Sequence, residues 1–237
     1  MAKKDQLRVT RAGTVINTTS KKQEAEVIRA LHAVEARIVA KHAVRLAWMQ
    51  TWKLSAIVRS LRESYPTVDF HYHFETSGLK PDGGVLCMVD GAQQRFPILI
   101  TEKKNQGTND LRVREGLRRQ AQGNAIERLG KNVIGLKAVM MREGIFPFVC
   151  FGDGCDFADT SSIRDRVTTI AMVGRLHQTY LHPQGPSDEF LRGSFYFREP
   201  PWTLDEMAAI MFDIANRSVL YYFSRYGEAR FLAHGGV

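Results

Sequence analysis

Long apolar runs are absent from this chain of 237 residues. A helix that spans a membrane needs about 18 consecutive apolar residues, and no stretch of the sequence approaches that length. The basic start at Lys3 and Lys4 is not followed by the apolar segment of a secretory signal. We therefore expect a soluble protein that is not exported and that works in the cytoplasm.

Cysteine is scarce, with only Cys87, Cys150 and Cys155 in the sequence. The number is odd and no pair has the C-x-x-C spacing, which argues against a disulfide framework and against a zinc knuckle. We predict buried thiols in a reducing compartment.

Acidic residues are outnumbered, because 25 Asp and Glu face 33 Lys and Arg and leave a formal net charge of +8. The surplus is concentrated in two segments, residues 1–23 and 103–131, which carry +5 each, while the rest of the chain is at −2. Such a distribution favours a polyanionic partner, although charge alone does not separate DNA, RNA and an acidic membrane surface.

The first basic segment predicts the domain organisation. Residues 1–23 have no apolar periodicity, so they are either a frayed terminus or a basic arm that contacts phosphates when nucleic acid is present. We predict a flexible arm over residues 1–23 and a single domain over residues 24–237.

Hydrophobic periodicity predicts the order of the elements. From Gln23 to Ser64 apolar residues recur at helical spacing, which predicts one bent helix or two. The strict alternation from Val68 to Phe74 predicts a half-buried strand. Two apolar runs, Val85 to Val89 and Phe96 to Thr101, flank Asp90-Gly91 and predict a hairpin.

The second half of the chain returns to helical spacing. Residues 111–143 predict helix, Ile145 to Phe151 a short buried strand, and Leu204 to Phe223 a last helix. Helices that alternate with strands in this way indicate an α/β fold.

Two carboxylates and a lysine stand at the ends of the predicted hairpin strands. Asp82 precedes the first strand, and Glu102 and Lys104 lie at the exit of the second. Residues two apart on a strand share a face, and antiparallel pairing can bring Asp82 beside them. Two carboxylates suit Mg²⁺ and a lysine can orient a water, so the trio is typical of metal-assisted phosphodiester hydrolysis. The alternative is an ordinary turn beside an exposed strand.

A second group of residues of metal-ligating types gives a weaker indication of a metal site. His71 and His73 share a strand face with Asp69 in the predicted strand. Further ligands at a known spacing are missing, which favours a solvent-exposed or interface face over a metal site.

A polar stripe follows Gly123. Asn124, Glu127, Arg128 and Lys131 fall at helical positions i, i+3, i+4 and i+7. A solvated helix face is the ordinary interpretation, but Asn, Glu and Arg are also the residue types that read base edges in the major groove. The arginines before the stripe, at 112, 114, 118 and 119, would contact phosphates.

Several blocks of the sequence resemble one enzyme family. The matching blocks are Tyr65-Pro66, residues 80–84 around Asp82, Glu102-x-Lys104-x-Gln106-Gly107, Gly123 to Arg128 with Lys131-Asn132, Phe146-Pro147, and residues 210–214. In this order they resemble the EcoRI family of restriction endonucleases, a branch of the PD-(D/E)xK nucleases, from about Tyr65 to near the C-terminus.

The resemblance implies a restriction-endonuclease-like core, an α/β fold whose central mixed β-sheet is flanked by helices. It places the metal-binding acids on Asp82 and Glu102 and the catalytic lysine on Lys104. It implies further DNA-contacting positions, with the readers of an AATT core first: Asn124, Glu127, Arg128, Ala121, Gln122, Lys131 and Arg175.

The sequence also departs from the family pattern. Only about seven residues lie between Phe74 and Asp82, and the region after Phe157 is short, so the arms that embrace DNA are expected to be reduced. The block Gln120-Ala121-Gln122 matches only in part. The resemblance implies that these positions help to read the outer base pair, so we expect the site GAATTC and leave open another AATT-centred site, such as CAATTG.

The resemblance implies a type II restriction endonuclease of the prokaryotic cytoplasm that cuts duplex DNA with Mg²⁺ and leaves 5′-phosphate ends. A palindromic target predicts a symmetric homodimer. A companion DNA methyltransferase in the host is expected, since an unprotected genome would be cut. The alternatives are a non-catalytic sequence-specific DNA-binding protein and a structure-directed repair nuclease of the same fold.

Overall fold

The computed structural model describes residues 16–105, 107–119, 123–169, 174–183 and 191–232. The elements are α1 (Ile16–His42), β1 (Arg45–Met49), β2 (Trp52–Lys53), α2 (Leu54–Ser64), β3 (Gly78–Leu79), β4 (Val85–Val89), β5 (Arg95–Asn105), α3 (Gly107–Arg114), α4 (Gly123–Met140), β6 (Phe148–Asp153), α5 (Ser162–Thr169), β7 (Gly174–Leu176), β8 (Gly193–Arg198) and α6 (Leu204–Tyr226). No helix among these residues has the length and apolar character needed to cross a membrane.

The central sheet has six strands in the order β1-β4-β5-β6-β8-β7. The pairs β1–β4 and β4–β5 are antiparallel, whereas β5–β6, β6–β8 and β7–β8 are parallel. β5 is therefore the strand at which the sheet changes from antiparallel to parallel pairing. The predicted α/β fold with a central mixed sheet is confirmed.

The alternation of side chains along β5 assigns the helices to the two faces of the sheet. The Thr101 hydroxyl lies 3.5 Å from the sulfur of Met211 on α6, so Thr101 faces the layer formed by α1 and α6. Glu102, the next residue, meets α4 through Asn132. Since successive side chains point to opposite faces, α4 covers the face opposite α6.

The last helix shows why the local sequence folds as it does. Thr203 caps α6 by accepting the Glu206 backbone N–H, and the Glu206 carboxylate accepts the Thr203 N–H in return, which forms a capping box. Arg198 holds the same carboxylate at 2.5 Å. The predicted helix is confirmed and extends to Tyr226.

The predicted helical run from Gln23 to Ser64 is only partly right. Two helices form, but β1 and β2 lie between them, because Ala43 adopts a positive φ of 52° and the chain turns to pair β1 with β4. Helix α1 begins at Ile16, inside the segment predicted as an arm, and residues 1–15 lie outside the described part of the chain.

The predicted strand from Val68 to Phe74 is wrong. This segment pairs with no strand in the described part of the chain and closes local contacts instead, with the Val68 N–H donating to Tyr65 and the Arg62 side chain donating to Phe70. Phe74 is 69% exposed. An alternating sequence forms a strand only beside a partner strand, because the backbone N–H and C=O groups need hydrogen-bond partners.

The other predictions hold with shifted bounds. The β4–β5 hairpin forms, and its connection spans residues 90–94, with Gln93 at a φ of 63°. The run predicted over residues 111–143 is divided into α3 and α4, and the strand predicted from Ile145 begins at Phe148. The three cysteines, Cys87, Cys150 and Cys155, are free and buried as predicted.

Candidate active site

The exit of β5 and the turn before β4 build the candidate site. The Gly83 N–H donates to the Thr101 carbonyl at 2.9 Å, and the Thr101 N–H donates to the Gly84 carbonyl at 3.4 Å. Gly84 has a φ of +73°, a conformation that glycine adopts without strain. These contacts hold the Asp82 turn alongside the end of β5.

The predicted trio, Asp82, Glu102 and Lys104, converges. Lys104 Nζ lies 3.3 Å from Asp82 Oδ2 and donates a hydrogen bond to Glu102 Oε1. The Asp82 backbone N–H donates to Glu102 Oε2 at 3.0 Å, and the Lys103 N–H donates to Asp82 Oδ2 at 3.2 Å. The two carboxylates are thus joined by one ammonium group and by the backbone.

Burial is graded across the trio. The exposed fraction of the side chain is 1% for Glu102, 19% for Lys104 and 39% for Asp82, so the group opens towards solvent at Asp82. Burial raises the pKa of Glu102, and neighbouring Asp82 adds to the effect, while Lys104 opposes it. For Lys104 burial acts to lower the pKa, but the two carboxylates outweigh it and the pKa is raised.

The donor set fits a hard divalent cation. The carboxylates of Asp82 and Glu102 already share one positive charge, that of the Lys104 ammonium group. Among the described residues no group of three or more His, Cys, Asp or Glu side chains could hold a metal, so an ion here would take its other ligands from water or from the substrate. Mg²⁺ is commonly bound in this way, through one or two carboxylates together with phosphate oxygens and waters.

The histidine pair belongs to a different segment. His71 and His73 are exposed, with their rings 5.2 Å apart, in the irregular segment before β3. Their exposure is as expected for a solvent-exposed or interface face, although the strand that was predicted to carry them does not form.

The predicted base-reading residues fall on α4. Asn124, Glu127 and Arg128 lie in its first two turns, and Lys131, in the turn that follows, is exposed. The side chains of the first three are not described, and Ala121 and Gln122 lie outside the described residues. The helix begins at Gly123, so the predicted i, i+3, i+4, i+7 spacing runs along one of its faces.

Arg175 lies on β7, away from α4 in the sequence. Its side chain is exposed, and its guanidinium carbon lies 6.0 Å from the centre of the Tyr180 ring. The structure places it at the far edge of the sheet, on the strand that pairs with β8.

One residue of the site was not predicted. Asn132 Nδ2, on α4, donates to Glu102 Oε1 at 3.2 Å. Asn132 belongs to a block that resembles the EcoRI family, and it lies one helical turn after Arg128, so its place beside the polar stripe was the available signal.

The fold and the site together define a class. A mixed sheet flanked by helices, with two carboxylates and a lysine where its central antiparallel and parallel strands meet, is the arrangement of a restriction-endonuclease-like nuclease. The family described as Restriction endonuclease EcoRI matches residues 10–170. The chain belongs to this family, whose members are site-specific deoxyribonucleases that act on DNA and generally need a divalent metal.

Two curated relatives agree with this assignment. The type II restriction enzyme RsrI of Cereibacter sphaeroides is 29% identical over 197 residues, which cover 69% of this chain and 71% of the relative. The type II restriction enzyme EcoRI of Escherichia coli is 33% identical over 113 residues, which cover 44% of this chain and 41% of the relative.

Proposed function

We propose that this chain is a Mg²⁺-dependent type II restriction endonuclease that cleaves duplex DNA at GAATTC. The observation that carries the proposal is the convergence of Lys104 Nζ on the carboxylates of Asp82 and Glu102. In this proposal Asp82 and Glu102 hold the metal and Lys104 is the catalytic lysine.

Each side chain has a distinct role in the chemistry. Bound Mg²⁺ would supply positive charge for the developing phosphorane and lower the pKa of a coordinated water. Glu102 is held from both oxygens, so it offers a fixed anion, whereas Asp82, at the open side, faces the incoming phosphate. Lys104, protonated beside both acids, donates hydrogen bonds that orient the attacking water and neutralise the scissile phosphate.

Recognition is assigned to the basic segment that follows the catalytic lysine. Asn124, Glu127 and Arg128 would read the AATT core in the major groove, with Lys131 on a phosphate. Ala121 and Gln122 would contribute to the outer base pair, and Arg175 would contact DNA from β7: these assignments rest on the family resemblance. CAATTG remains the second site to test.

A homodimer is proposed because a palindrome presents each base edge twice about a two-fold axis. Two exposed apolar side chains, one on α4 and one in the turn that follows it, support this. Ile134 on α4 is 61% exposed, and Met141, directly after the end of α4, is 55% exposed. A second copy of the chain would cover both residues.

The host is proposed to carry a companion DNA methyltransferase, with no stable complex between the two proteins. Any cell that makes an active enzyme of this class must protect its own copies of the site.

Digestion of a fully sequenced plasmid in Mg²⁺ buffer, followed by sequencing of the ends, tests the proposal. We expect cuts at GAATTC alone, with 5′-phosphate ends, and none in EDTA. Cuts at CAATTG would retain the class and change the outer base pair. Binding without cleavage, or cleavage set by DNA structure rather than sequence, would overturn it.

A further inference from the structure

Glu102 is held by donors from three parts of the fold. Lys104 on the same strand and Asn132 on α4 both donate to Oε1, while the Asp82 backbone N–H donates to Oε2. Lys104 and Asp82 belong to the proposed metal site itself. Asn132 is the contact to Glu102 that comes from the helix assigned to base reading.

Asn132 is close to the base-reading end of α4. It follows Arg128 by four residues, so the two share a face and lie about 6 Å apart along the axis. The helix is continuous from Gly123 to Met140, and Leu129, Val133 and Leu136, which lie on the side of the helix adjoining Asn132, anchor it in the core. A displacement of the reading end therefore moves the Asn132 amide.

Helix α4 is closely packed next to Asn132. A Cβ on Gly135, one turn further along α4, would lie only 3.1 Å from the Leu79 side chain, and Leu79 precedes the Asp82 turn by three residues. Helix α4 thus contacts β5 through Asn132 at Glu102, and it contacts β3 through Gly135 at Leu79, three residues before Asp82.

We propose that Asn132 is a positioning residue that couples base recognition to the Glu102 carboxylate. The inference rests on the proposed function. When the target sequence seats α4, the amide holds Glu102 in its metal-binding position; when a wrong base displaces α4, the hydrogen bond is lost and the carboxylate is free to turn away.

The residue type suits this role. An amide donates a hydrogen bond without adding charge, so it fixes the carboxylate and leaves its negative charge for a cation. A lysine or arginine at this position would neutralise Glu102 and compete with the metal. An aspartate would add a second negative charge against a buried carboxylate.

The test uses Asn132→Ala and Asn132→Leu, the second of which keeps the size of the side chain and removes its N–H groups. Asn216→Ala is the matched control: its amide also makes a partly buried hydrogen bond, to His42 at 2.8 Å, but on α6 and away from the site. Thermal unfolding of all variants establishes that they fold.

Three readouts separate positioning from stability. We expect binding of a GAATTC duplex in EDTA to stay within about twofold of the parent, and the single-turnover cleavage rate of the prebound duplex to fall about 10- to 100-fold. Binding of Mn²⁺ to the free protein should weaken by a similar factor. On a duplex with one changed base pair in AATT, the variants should lose much less of the parent's cleavage rate. The ratio between the cleavage rates on the two duplexes should therefore be smaller for the variants than for the parent.

Failure of the proposed function and failure of the proposed role of Asn132 give different results. If the parent protein shows no metal-dependent, sequence-specific cleavage, the proposed function is wrong. If the parent cleaves and Asn132→Leu retains its rate and its Mn²⁺ affinity, Asn132 does not position Glu102. If the variants lose the same factor on both duplexes, the coupling to recognition is wrong.

Discussion

Lys103 and Asp153 form an ion pair, with Nζ 3.1 Å from Oδ2, in which both side chains are almost fully buried. Lys103 stands between Glu102 and Lys104 on β5 but points to the opposite face of the sheet. Asp153, at the end of β6, also accepts the Trp202 backbone N–H at 3.3 Å. The pair therefore ties β5 to its parallel neighbour β6 and to the segment before α6.

Lys103→Met should destabilise the protein by about 3–5 kcal/mol, because the buried Asp153 carboxylate loses the positive charge that Lys103 supplies. Chemical denaturation measures the loss. The double variant Lys103→Met with Asp153→Leu is the control, and we expect it to recover a large part of the stability. A single variant as stable as the parent would show that the pair contributes nothing.

Glu102→Gln should lower the cleavage rate by at least about 100-fold, since it replaces the most buried anion of the site with a neutral amide of the same shape. Duplex binding without metal should persist. Cleavage in Mg²⁺ and filter binding in EDTA check the two parts. Glu75→Gln, at an exposed acid in the irregular segment before β3, is the control. Undiminished cleavage by Glu102→Gln would disprove the metal site.

Asn124→Ala should cost about 1–3 kcal/mol in binding to the target duplex and almost nothing on random DNA, because a base contact is specific to sequence. Lys131→Ala should weaken both duplexes alike and reduce the salt dependence by about one phosphate contact. Titrations at several salt concentrations compare them. An equal loss on both duplexes for Asn124→Ala would contradict base reading by this residue.

The capping carboxylate of α6 predicts a pH dependence of stability. Hydrogen bonds from Arg198, and then from Thr203, lower the pKa of Glu206 from 4.5 to about 2. A lowered carboxyl pKa contributes stability above the unfolded value and loses it as the pH falls through the folded value. The melting temperature of the parent should exceed that of Glu206→Gln at pH 5, and the gap should close towards pH 2. A constant gap would assign the effect to packing.

Ile134→Asp should convert a dimer to a monomer, since a buried charge at a subunit interface lacks a partner. Sedimentation would then report the 26.8 kDa mass of a single chain instead of twice that value. Leu220→Asp, at an exposed residue of α6, is the control. A parent protein that is already monomeric with its target DNA would refute the proposed homodimer.

The predictable part of the site came from short-range rules. Glu102 and Lys104 share a face because strands alternate, and Asp82 joins them because the β4–β5 hairpin is antiparallel. The strand β1 was missed because its side chains continue an apolar pattern that a helix also satisfies. The alternation from Val68 to Phe74 gave a wrong strand prediction, because a strand requires a neighbouring strand to pair with.

Asn132 illustrates what local pattern does not reveal. Its contact with Glu102 joins residues 30 positions apart on a helix and a strand. The contact depends on the position of α4 relative to β5, and Gly135 lets α4 lie close to β3, because a Cβ at that position would lie 3.1 Å from the Leu79 side chain. A polar residue beside a polar stripe looks the same from the sequence whether its side chain contacts solvent or a buried carboxylate.

The β4–β5 hairpin also makes the enzyme easy to label. Its connection, residues 90–94, lies at the opposite end of β4 from Asp82, about 17 Å away along five residues. Ala92 there is exposed, whereas the native thiols are buried, and burial raises the pKa of Cys87 to about 12. An Ala92→Cys variant would accept a single fluorophore by selective alkylation, so that the protein could be followed on long DNA without a probe near the site.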